Sequence, residues 1–146
     1  MSDTIIFTFE RGGRLTARLL VDMAPRTVSV LRGLLPLKAM VFHSRWSGRE
    51  VNFPVKSEEG IPRENQTSQT NTGDVIYWKE WEMDTAKPAE AIAIYYGAEV
   101  TRDHRGSLQV NVFARIPESQ WKRIEEIGLR IWQHGIERVE VTLARH

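Results

Sequence analysis

The sequence contains no cysteine among its 146 residues. This absence excludes disulfide bonds, thiol nucleophiles, iron–sulfur clusters and zinc sites built from cysteine. A chain of this length removes roughly 70% of its unfolded surface from water when it folds. We therefore expect a single domain over residues 1–146 that needs neither a disulfide nor a structural metal for stability.

An excess of charge of either sign is also absent. Twenty lysine and arginine residues oppose 19 aspartate and glutamate residues, which leaves a net charge of +1. A dedicated nucleic-acid-binding protein needs a concentrated basic face to displace counterions from phosphates. The charge balance therefore argues against nucleic acid as a partner.

Long apolar runs are missing as well. No window approaches the ~20 apolar residues that a membrane-spanning helix needs, and the first residues lack the basic and apolar pattern of a signal peptide. We therefore expect a cytoplasmic protein that does not bind membranes.

The common catalytic signatures are missing too. The sequence has no Gly-x-Ser-x-Gly elbow, phosphate-binding loop, dinucleotide fingerprint or His-Glu-x-x-His motif, which excludes the common hydrolase, nucleotide-binding and zinc-protease classes. His43, Asp103 and His104 do not have the spacing of a recognised metal site. We predict no metal and no cofactor.

The sequence is rich in segments whose apolar residues alternate with period two, which is typical of half-buried strands. Thr4–Phe9 and Leu15–Leu19 alternate on either side of Gly12-Gly13, which predicts a β-hairpin. Further strands are predicted over Ala39–Trp46, Glu50–Val55, Asp74–Trp78, Ala91–Tyr96, Leu108–Ile116 and Val139–Leu143. The strand Ala91–Tyr96 is almost entirely apolar, so we expect it to be covered on one face by a barrel interior and on the other by a helix.

Two segments have helical spacing. The first begins at Pro25 and ends at Pro36, with Val28, Leu31 and Leu35 on one face. The second begins at Pro117 and ends at Gly135, a residue suited to a left-handed C-terminal cap. Its predicted buried stripe is Trp121, Ile124, Ile127, Gly128 and Ile131.

The order of these elements predicts a mainly β fold. Two strands, a helix, four or five strands, a helix and a final strand fit a closed antiparallel barrel of about eight strands with two capping helices, because closure removes exposed sheet edges. An open antiparallel sheet with both helices on one face is the alternative, and the periodicity alone does not distinguish them.

Several short motifs resemble those of cyclophilins. Asp22–Val28 resembles the start of the first cyclophilin helix, and Val41–Arg45 resembles the cyclophilin Phe-His-Arg strand with Ser44 inserted. Val112–Ile116, followed by Trp121–Gly128, resembles the strand and helix near the cyclophilin C-terminus. The chain is more similar still to small bacterial cyclophilin-like domains of unknown function, through Arg45–Gly48, Gly73–Tyr77, Tyr95–Gly97 and Asn111-Val112. The resemblance covers nearly the whole chain and implies a cyclophilin-like β-barrel.

The resemblance also implies one candidate activity. In a prolyl isomerase a guanidinium group donates to the prolyl nitrogen as the C–N bond twists, and the resemblance places that role near Arg45, with Asn52 as a counterpart of the family's glutamine. His43 is either a proton donor or acceptor at the pocket or a half-buried histidine bonded to the backbone. Residues 103–110 lack the cyclophilin tryptophan, so prolyl isomerisation is an alternative rather than the principal hypothesis.

The principal hypothesis is a small-molecule pocket at the barrel mouth. Aromatic residues are concentrated near the predicted strand ends, and such side chains suit ligand pockets as well as barrel cores. Arg45 and Arg49 suit a carboxylate-bearing metabolite, because guanidinium groups bind carboxylates through two hydrogen bonds. The predicted pocket residues are His43, Arg45, Trp46, Arg49, Asn52, Tyr77 and Tyr95. A third hypothesis is a non-catalytic domain that forms a homo-oligomer through exposed aromatic residues.

The polar stretch Lys56–Thr72 has no periodicity and is predicted to be a long loop. Loops of this length in compact domains are usually functional or mobile. Glu64–Thr67 is interpreted either as a polar lid over the pocket or, by preference, as a solvated connection.

Overall fold

A computed structural model describes residues 3–44, 47–82 and 87–145 of the chain. Its helices are α1 (Pro25–Gly33) and α2 (Trp121–His134), and a 3-10 turn over Glu118–Gln120 leads into α2. Its strands are β1 (Thr4–Phe9), β2 (Arg14–Leu19), β3 (Leu37–His43), β4 (Glu50–Pro54), β5 (Gln66–Thr67), β6 (Gln69–Thr70), β7 (Asp74–Lys79), β8 (Glu90–Tyr95), β9 (Glu99–Val100), β10 (Arg102–Asp103), β11 (Gly106–Ser107), β12 (Val110–Arg115) and β13 (Glu137–Leu143).

The main sheet closes on itself. Its strands run in the order β2-β1-β13-β3-β4-β8-β7-β12, with antiparallel pairing at each step, and β12 pairs with β2 to complete the ring. The closing register places Ala114 opposite Leu19 and Arg115 opposite Arg18. The predicted closed barrel with two helices is therefore confirmed, and the open-sheet alternative is wrong.

The N-terminal hairpin forms as predicted. Gly12 and Gly13 both adopt positive φ angles in the turn, a conformation that is costly for other residues. The turn sets a register that places Phe7 opposite Leu15, and both side chains are fully buried inside the barrel.

Helix α2 packs against β3 and β4. Ile124, Ile127 and Ile131 are buried as predicted, and Gly128 is packed so closely against the ring of Tyr96 that a Cβ atom there would overlap it. Trp121 does not belong to the buried stripe, because 37% of its surface is exposed while its indole N–H donates to the carbonyl of Ile116. Within the described ranges, no helix has both the length and the apolar character needed to cross a lipid bilayer.

Strand β8 is covered on both faces, but not as predicted. Ile92 and Ile94 point into the barrel, whereas Ala93 and Tyr95 point outward into a second, smaller apolar cluster. The residues that complete this outer cluster come from neighbouring strands and from the segment after β11, including Leu108. A β-rich segment over residues 99–109 therefore covers the outer face, in place of the expected helix.

A bulge in β12 allows consecutive residues to enter the core. The register with β7 shifts between Val112 and Ala114, and Phe113 is the extra residue. Phe113 and Ala114 both join the barrel core, while Val112 belongs to the outer cluster. Simple alternation does not predict this change of face.

One buried amide holds the long loop against the barrel. Asn111 is fully buried, and its Nδ2 donates to the hydroxyl of Thr27 (3.0 Å) and the carbonyl of Pro62 (2.9 Å). Its Oδ1 accepts from the backbone N–H of Glu64 and the amide of Gln66, each at 3.1 Å. Residues 62–66 are therefore tied to the barrel wall, which argues against the lid interpretation.

A buried carboxylate joins the N-terminal hairpin to the end of α2. Glu137 is almost fully buried and accepts hydrogen bonds from Arg11 Nε (3.1 Å) and Arg130 Nε (2.8 Å). Burial alone would raise the pKa of Glu137, but the hydrogen bonds from Arg130 and from the backbone of Arg11 outweigh it and lower that pKa. Arg130 also donates to the carbonyl of Gly12, so the three segments form one network.

Replacing Asn111 by leucine should destabilise the fold. Leucine has a similar volume but leaves the buried groups around it unpaired, so we expect a loss of roughly 3 kcal/mol in the free energy of unfolding. Urea denaturation measures this loss. Asn71→Ala, at an exposed position, is the matched control and should change stability by less than about 0.5 kcal/mol. Equal effects of the two substitutions would contradict the role given to Asn111.

Glu137→Gln should lower stability in a pH-dependent way. Above about pH 5 the free energy of unfolding should fall by about 3 kcal/mol. This value is the lower end of the range for a broken buried ion pair, because both guanidinium groups can still reach solvent. Since the pKa of Glu137 is lowered in the folded state, wild type loses this advantage as the pH falls through that pKa. The difference between the two proteins should shrink in acid. Glu140→Gln, on the same strand, should have almost no effect at any pH.

Candidate functional site

A cavity of about 180 Å³ lies on the outer face of the barrel, not at its mouth. We call it the outer cavity. Its floor is formed by outward-facing residues of β4, β7, β8 and β12, and one wall is formed by residues 102–108. The apolar residues that line it are Ile76, Trp78, Ala91, Ala93, Leu108 and Val110. The polar ones are Ser44, Ser47, Glu50, Asn52, Tyr95, Arg102 and Asp103.

Strand register explains why these side chains meet. Asn52 lies opposite Ala93, and Ala93 lies opposite Ile76, so one outward row crosses three strands. In the next row, Glu50 lies directly opposite Tyr95. Because side chains alternate along a strand, the intervening residues of these strands point into the barrel core.

Glu50 is the central polar residue of the outer cavity. Only 6% of its surface is exposed, and Asn52 Nδ2 donates to its Oε1 at 3.1 Å. Hydrogen bonds also connect its carboxyl group to the hydroxyl groups of Ser44 and Tyr95. Burial raises the pKa of Glu50 to about 7, and these three hydrogen bonds only partly oppose that rise.

Tyr95 places a phenol beside this carboxyl group. Burial, followed by the charge of Glu50, raises the pKa of Tyr95 well above its ordinary value. Side-chain hydrogen bonds to Ser47 and Thr70 oppose the rise. Tyr95 therefore stays protonated at neutral pH and offers a hydroxyl group rather than a charge.

The wall of the cavity is tied to the turn before β4. Ser47 Oγ donates to the carbonyl of Arg102 at 2.8 Å and accepts from its backbone N–H at 3.0 Å. Asp103, on the same wall, accepts from the backbone N–H, Nε and Nη2 of Arg105. The hydrogen bond from Arg105 lowers the pKa of Asp103, so this carboxylate is charged and already paired.

His43 lies away from the outer cavity. Its Nδ1 donates to the carbonyl of Ser44 (2.8 Å), so its Nε2 accepts from the hydroxyl of Tyr96 (2.5 Å). Its ring centroid is 4.8 Å from that of Trp132 on α2, and burial lowers the pKa of His43. Both nitrogens are engaged in a neutral ring, which agrees with a half-buried histidine bonded to the backbone rather than with a proton donor at the pocket.

Two other predicted pocket residues also lie elsewhere. Arg49 is exposed, and its Nε donates to Glu99 Oε2 at 2.6 Å. Tyr77 points into the barrel core, where its hydroxyl donates to Glu90 Oε1 at 2.6 Å. The predicted residues that the structure brings together at the outer cavity are Asn52 and Tyr95.

Arg45 and Trp46 lie outside the described residues. Their chain neighbours Ser44 and Ser47 both line the outer cavity. The inserted Ser44 follows the last residue of β3, so the insertion falls in the turn to β4 and does not reverse the faces of that strand.

Glu50 was not predicted from the sequence, although a signal was present. Glu50 and Asn52 share the polar face of a strand whose other face carries Val51 and Phe53, so predicting one as a pocket residue implied the other. The wall at residues 102–108 was not predicted either, because only long-range packing places this segment beside the cavity. Within the described ranges, no three histidine, aspartate or glutamate residues are grouped closely enough to hold a metal ion.

Solved structures with the same fold include three informative cases. McbB in complex with tryptophan has a TM-score of 0.72 and 16% identity over 97% of this chain, which spans only 45% of McbB. The hypothetical protein AF2241 from Archaeoglobus fulgidus has a TM-score of 0.59 and 22% identity, with 98% of this chain and 95% of that one covered.

The third structure is a cyclophilin-type peptidyl-prolyl cis-trans isomerase from Cryptosporidium parvum, in the presence of the dipeptide Ala-Pro. Its TM-score is 0.56 at 9% identity, with 98% of this chain and 99% of that one covered. At these identities the likeness shows the fold alone. No curated protein matches the sequence significantly.

The family assignment comes from the sequence itself. Residues 7–143 match the model of a family described as a protein of unknown function, DUF3830. This range covers almost all of the chain, and the neighbouring structures confirm the predicted resemblance to a cyclophilin-like domain of unknown function. The chain therefore belongs to the DUF3830 family and has the cyclophilin-like barrel fold.

Proposed function

We propose that this protein binds a small organic molecule in the outer cavity. The observation that carries the proposal is the division of the cavity into an apolar side and a hydrogen-bonding side. Ligand sites combine such apolar surface with a few convergent polar groups that orient the ligand.

The apolar side suits one compact ring system. Ile76, Ala93 and Val110 are buried at the floor, and Trp78 adds an aromatic side chain at the edge. The volume of about 180 Å³ lies below the ~300–1,000 Å³ of sites for drug-sized ligands. The ligand is therefore a small metabolite and not an extended polymer.

The polar side offers groups of different character. Glu50 and Asn52 lie at the floor, and Arg102 lies on the wall. The carboxylate-bearing ligand expected from the sequence relied on Arg45 and Arg49, of which Arg49 is paired with Glu99. In the outer cavity, Arg102 supports the binding of a carboxylate-bearing ligand, because a guanidinium group can bind a carboxylate through two hydrogen bonds.

One neighbouring structure supports this ligand class. McbB, which shares the barrel, has been solved with tryptophan, a molecule that combines a ring, an amino group and a carboxylate. An apolar amino acid or a similar small molecule has the shape and polarity of the outer cavity. Indole compounds are therefore suitable probes for this chain.

Prolyl isomerisation and self-association remain alternatives. The isomerase hypothesis relies on Arg45, outside the described residues, and is supported by the fold shared with the Cryptosporidium parvum isomerase. Self-association is supported by the exposed side chain of Trp132 on α2, 60% of which is accessible. Neither alternative uses Glu50 at the floor of the outer cavity.

The binding prediction can be tested with indole probes. An indole compound that binds should raise the free energy of unfolding by about 2.7 kcal/mol at a hundredfold excess over Kd. Ala91→Phe fills the outer cavity and should abolish this effect. Ala89→Phe, which places the same ring on an exposed position outside the cavity, should retain it. Thermal shift and calorimetric titration measure both, and equal binding by the two variants would place the ligand elsewhere.

The alternatives have their own readouts. The proposal predicts that the protein does not accelerate cis–trans exchange in an Ala-Pro peptide above the buffer rate. Acceleration that is lost in Arg45→Ala would instead support an isomerase. A mass that rises with concentration, without ligand stabilisation, would support self-association.

The proton on Glu50 predicts a pH-dependent stability. Its pKa is raised to about 7 in the folded state, so its contribution to stability is complete below the unfolded pKa and is lost as the pH rises through 7. Glu50→Gln should therefore gain stability over wild type between pH 4.5 and pH 8, by roughly 3 kcal/mol. Urea denaturation at both pH values measures the gain, and a difference that does not change with pH would contradict the buried neutral carboxyl group.

A further inference from the structure

The buried carboxyl groups of the described residues differ in their partners. Asp74 is within 3.3 Å of Arg115, and Glu137 contacts Arg11 and Arg130. Glu50 is buried to a similar degree, but no basic side chain of the described residues forms an ion pair with it. It is also the one of these three carboxyl groups that lines the outer cavity.

Among the described residues, the groups that form hydrogen bonds with Glu50 are neutral. Asn52 on its own strand, Ser44 in the turn and Tyr95 on β8 supply hydrogen bonds without charge. These groups orient the carboxyl group but do not balance a negative charge. A buried charge that lacks an opposite charge is costly, so an incoming cation would gain most at this position.

The other charged residues that line the outer cavity, in the part of the chain that the structure describes, lie on β10. Asp103 is saturated by Arg105, so it has little capacity left for a ligand. Arg102 is exposed on the wall and suits the anionic end of a ligand. The cavity therefore offers a buried carboxyl group at the floor and a guanidinium group at the rim.

Aromatic side chains near Glu50 add a second attraction for a cation. Tyr95 is its direct cross-strand neighbour, and Trp78 lines the same cavity. Positively charged nitrogen is attracted to aromatic faces, by about 0.5–1 kcal/mol at exposed sites and more where water is excluded.

We propose that the ligand of the outer cavity carries a basic nitrogen, as an amine or an α-amino acid does, and that its ammonium group forms an ion pair with Glu50. This inference rests on the proposed function and names the ligand class of that site. On binding, the carboxylic acid of Glu50 loses its proton to solvent while the ammonium group keeps its own. One proton therefore leaves for each ligand bound to the protonated protein.

The pH dependence of binding follows from the proton that Glu50 loses when the ligand binds. An alkyl ammonium group has a pKa of about 10, so it stays charged between pH 6 and pH 8 and only Glu50 changes state. With a pKa of about 7 for Glu50, the affinity for an amine should rise about tenfold between pH 6 and pH 8. Proton release should be close to one per ligand at pH 6 and close to zero at pH 8.

The experiment compares four indole probes that differ mainly in their charged groups. Tryptamine carries the amine, indole-3-propionate the carboxylate, tryptophan both and 3-methylindole neither. Calorimetric titration of the full chain, in two buffers of different ionisation enthalpy, measures affinity and proton release together. We expect the two amines to bind most tightly and with proton release, and the other two probes to bind without it.

Substitutions identify the group that binds the amine and releases the proton. Glu50→Gln keeps the shape of the side chain and can keep hydrogen bonds, so it should weaken tryptamine binding at least tenfold and abolish proton release, while 3-methylindole binding should weaken far less than tryptamine binding. Glu140→Gln, on the barrel surface, should behave as wild type.

The outcomes separate this inference from the proposed function. If 3-methylindole or indole-3-propionate binds but tryptamine binds no more tightly and without proton release, the amine inference is overturned and small-molecule binding stands. The amine inference is overturned in the same way if Glu50→Gln binds tryptamine as wild type does. If none of the four probes binds the wild-type protein, both the amine inference and the proposed indole-sized ligand are overturned.

Discussion

Closure of the barrel is the constraint on which the rest of the structure depends. Once β12 pairs with β2, each strand has one face inside and one outside, and alternation assigns its side chains to these faces. The interior is filled by large side chains such as Phe7 and Phe53. The outward residues of β7, β8 and β12 are also apolar, so closure obliges the chain to supply a second layer over them. The segment over residues 99–109 is that layer, and the outer cavity is the space it leaves.

The buried polar groups divide according to the partners that the fold provides. Asn111 makes four hydrogen bonds, and Glu137 is matched by two arginines, so both stabilise connections between distant segments. Glu50 has hydrogen bonds but no opposite charge among the described residues, and it faces a cavity. Structural hydrogen bonds and ion pairs account for the first kind of group, whereas an unbalanced carboxyl group beside a cavity is typical of a functional site.

The sequence predicted the strands that carry the site better than it predicted which of their side chains come together. Asn52 and Tyr95 were predicted and do line the outer cavity. Tyr77 was predicted beside them, but it lies on the opposite face of the sheet, inside the barrel. His43 is turned toward α2, and Arg49 is held by Glu99. Motif resemblance indicates which strand a residue occupies, but it does not indicate which residues its side chain contacts in the folded protein.

By itself the sequence determined the eight barrel strands and the two helices, because alternation, helical spacing and glycine and proline positions are local properties. The closed barrel was predicted from the order of these elements and from the family resemblance, since periodicity alone does not distinguish it from an open sheet. The sequence also determined that no cysteine chemistry is available. Only the tertiary structure decided that the pocket lies on the outer face, that Phe113 enters the core through a bulge, and that Glu50 is buried without a cation among the described residues. These features arise from contacts between residues far apart in the chain, and the cost of burying a charge depends on everything packed around it.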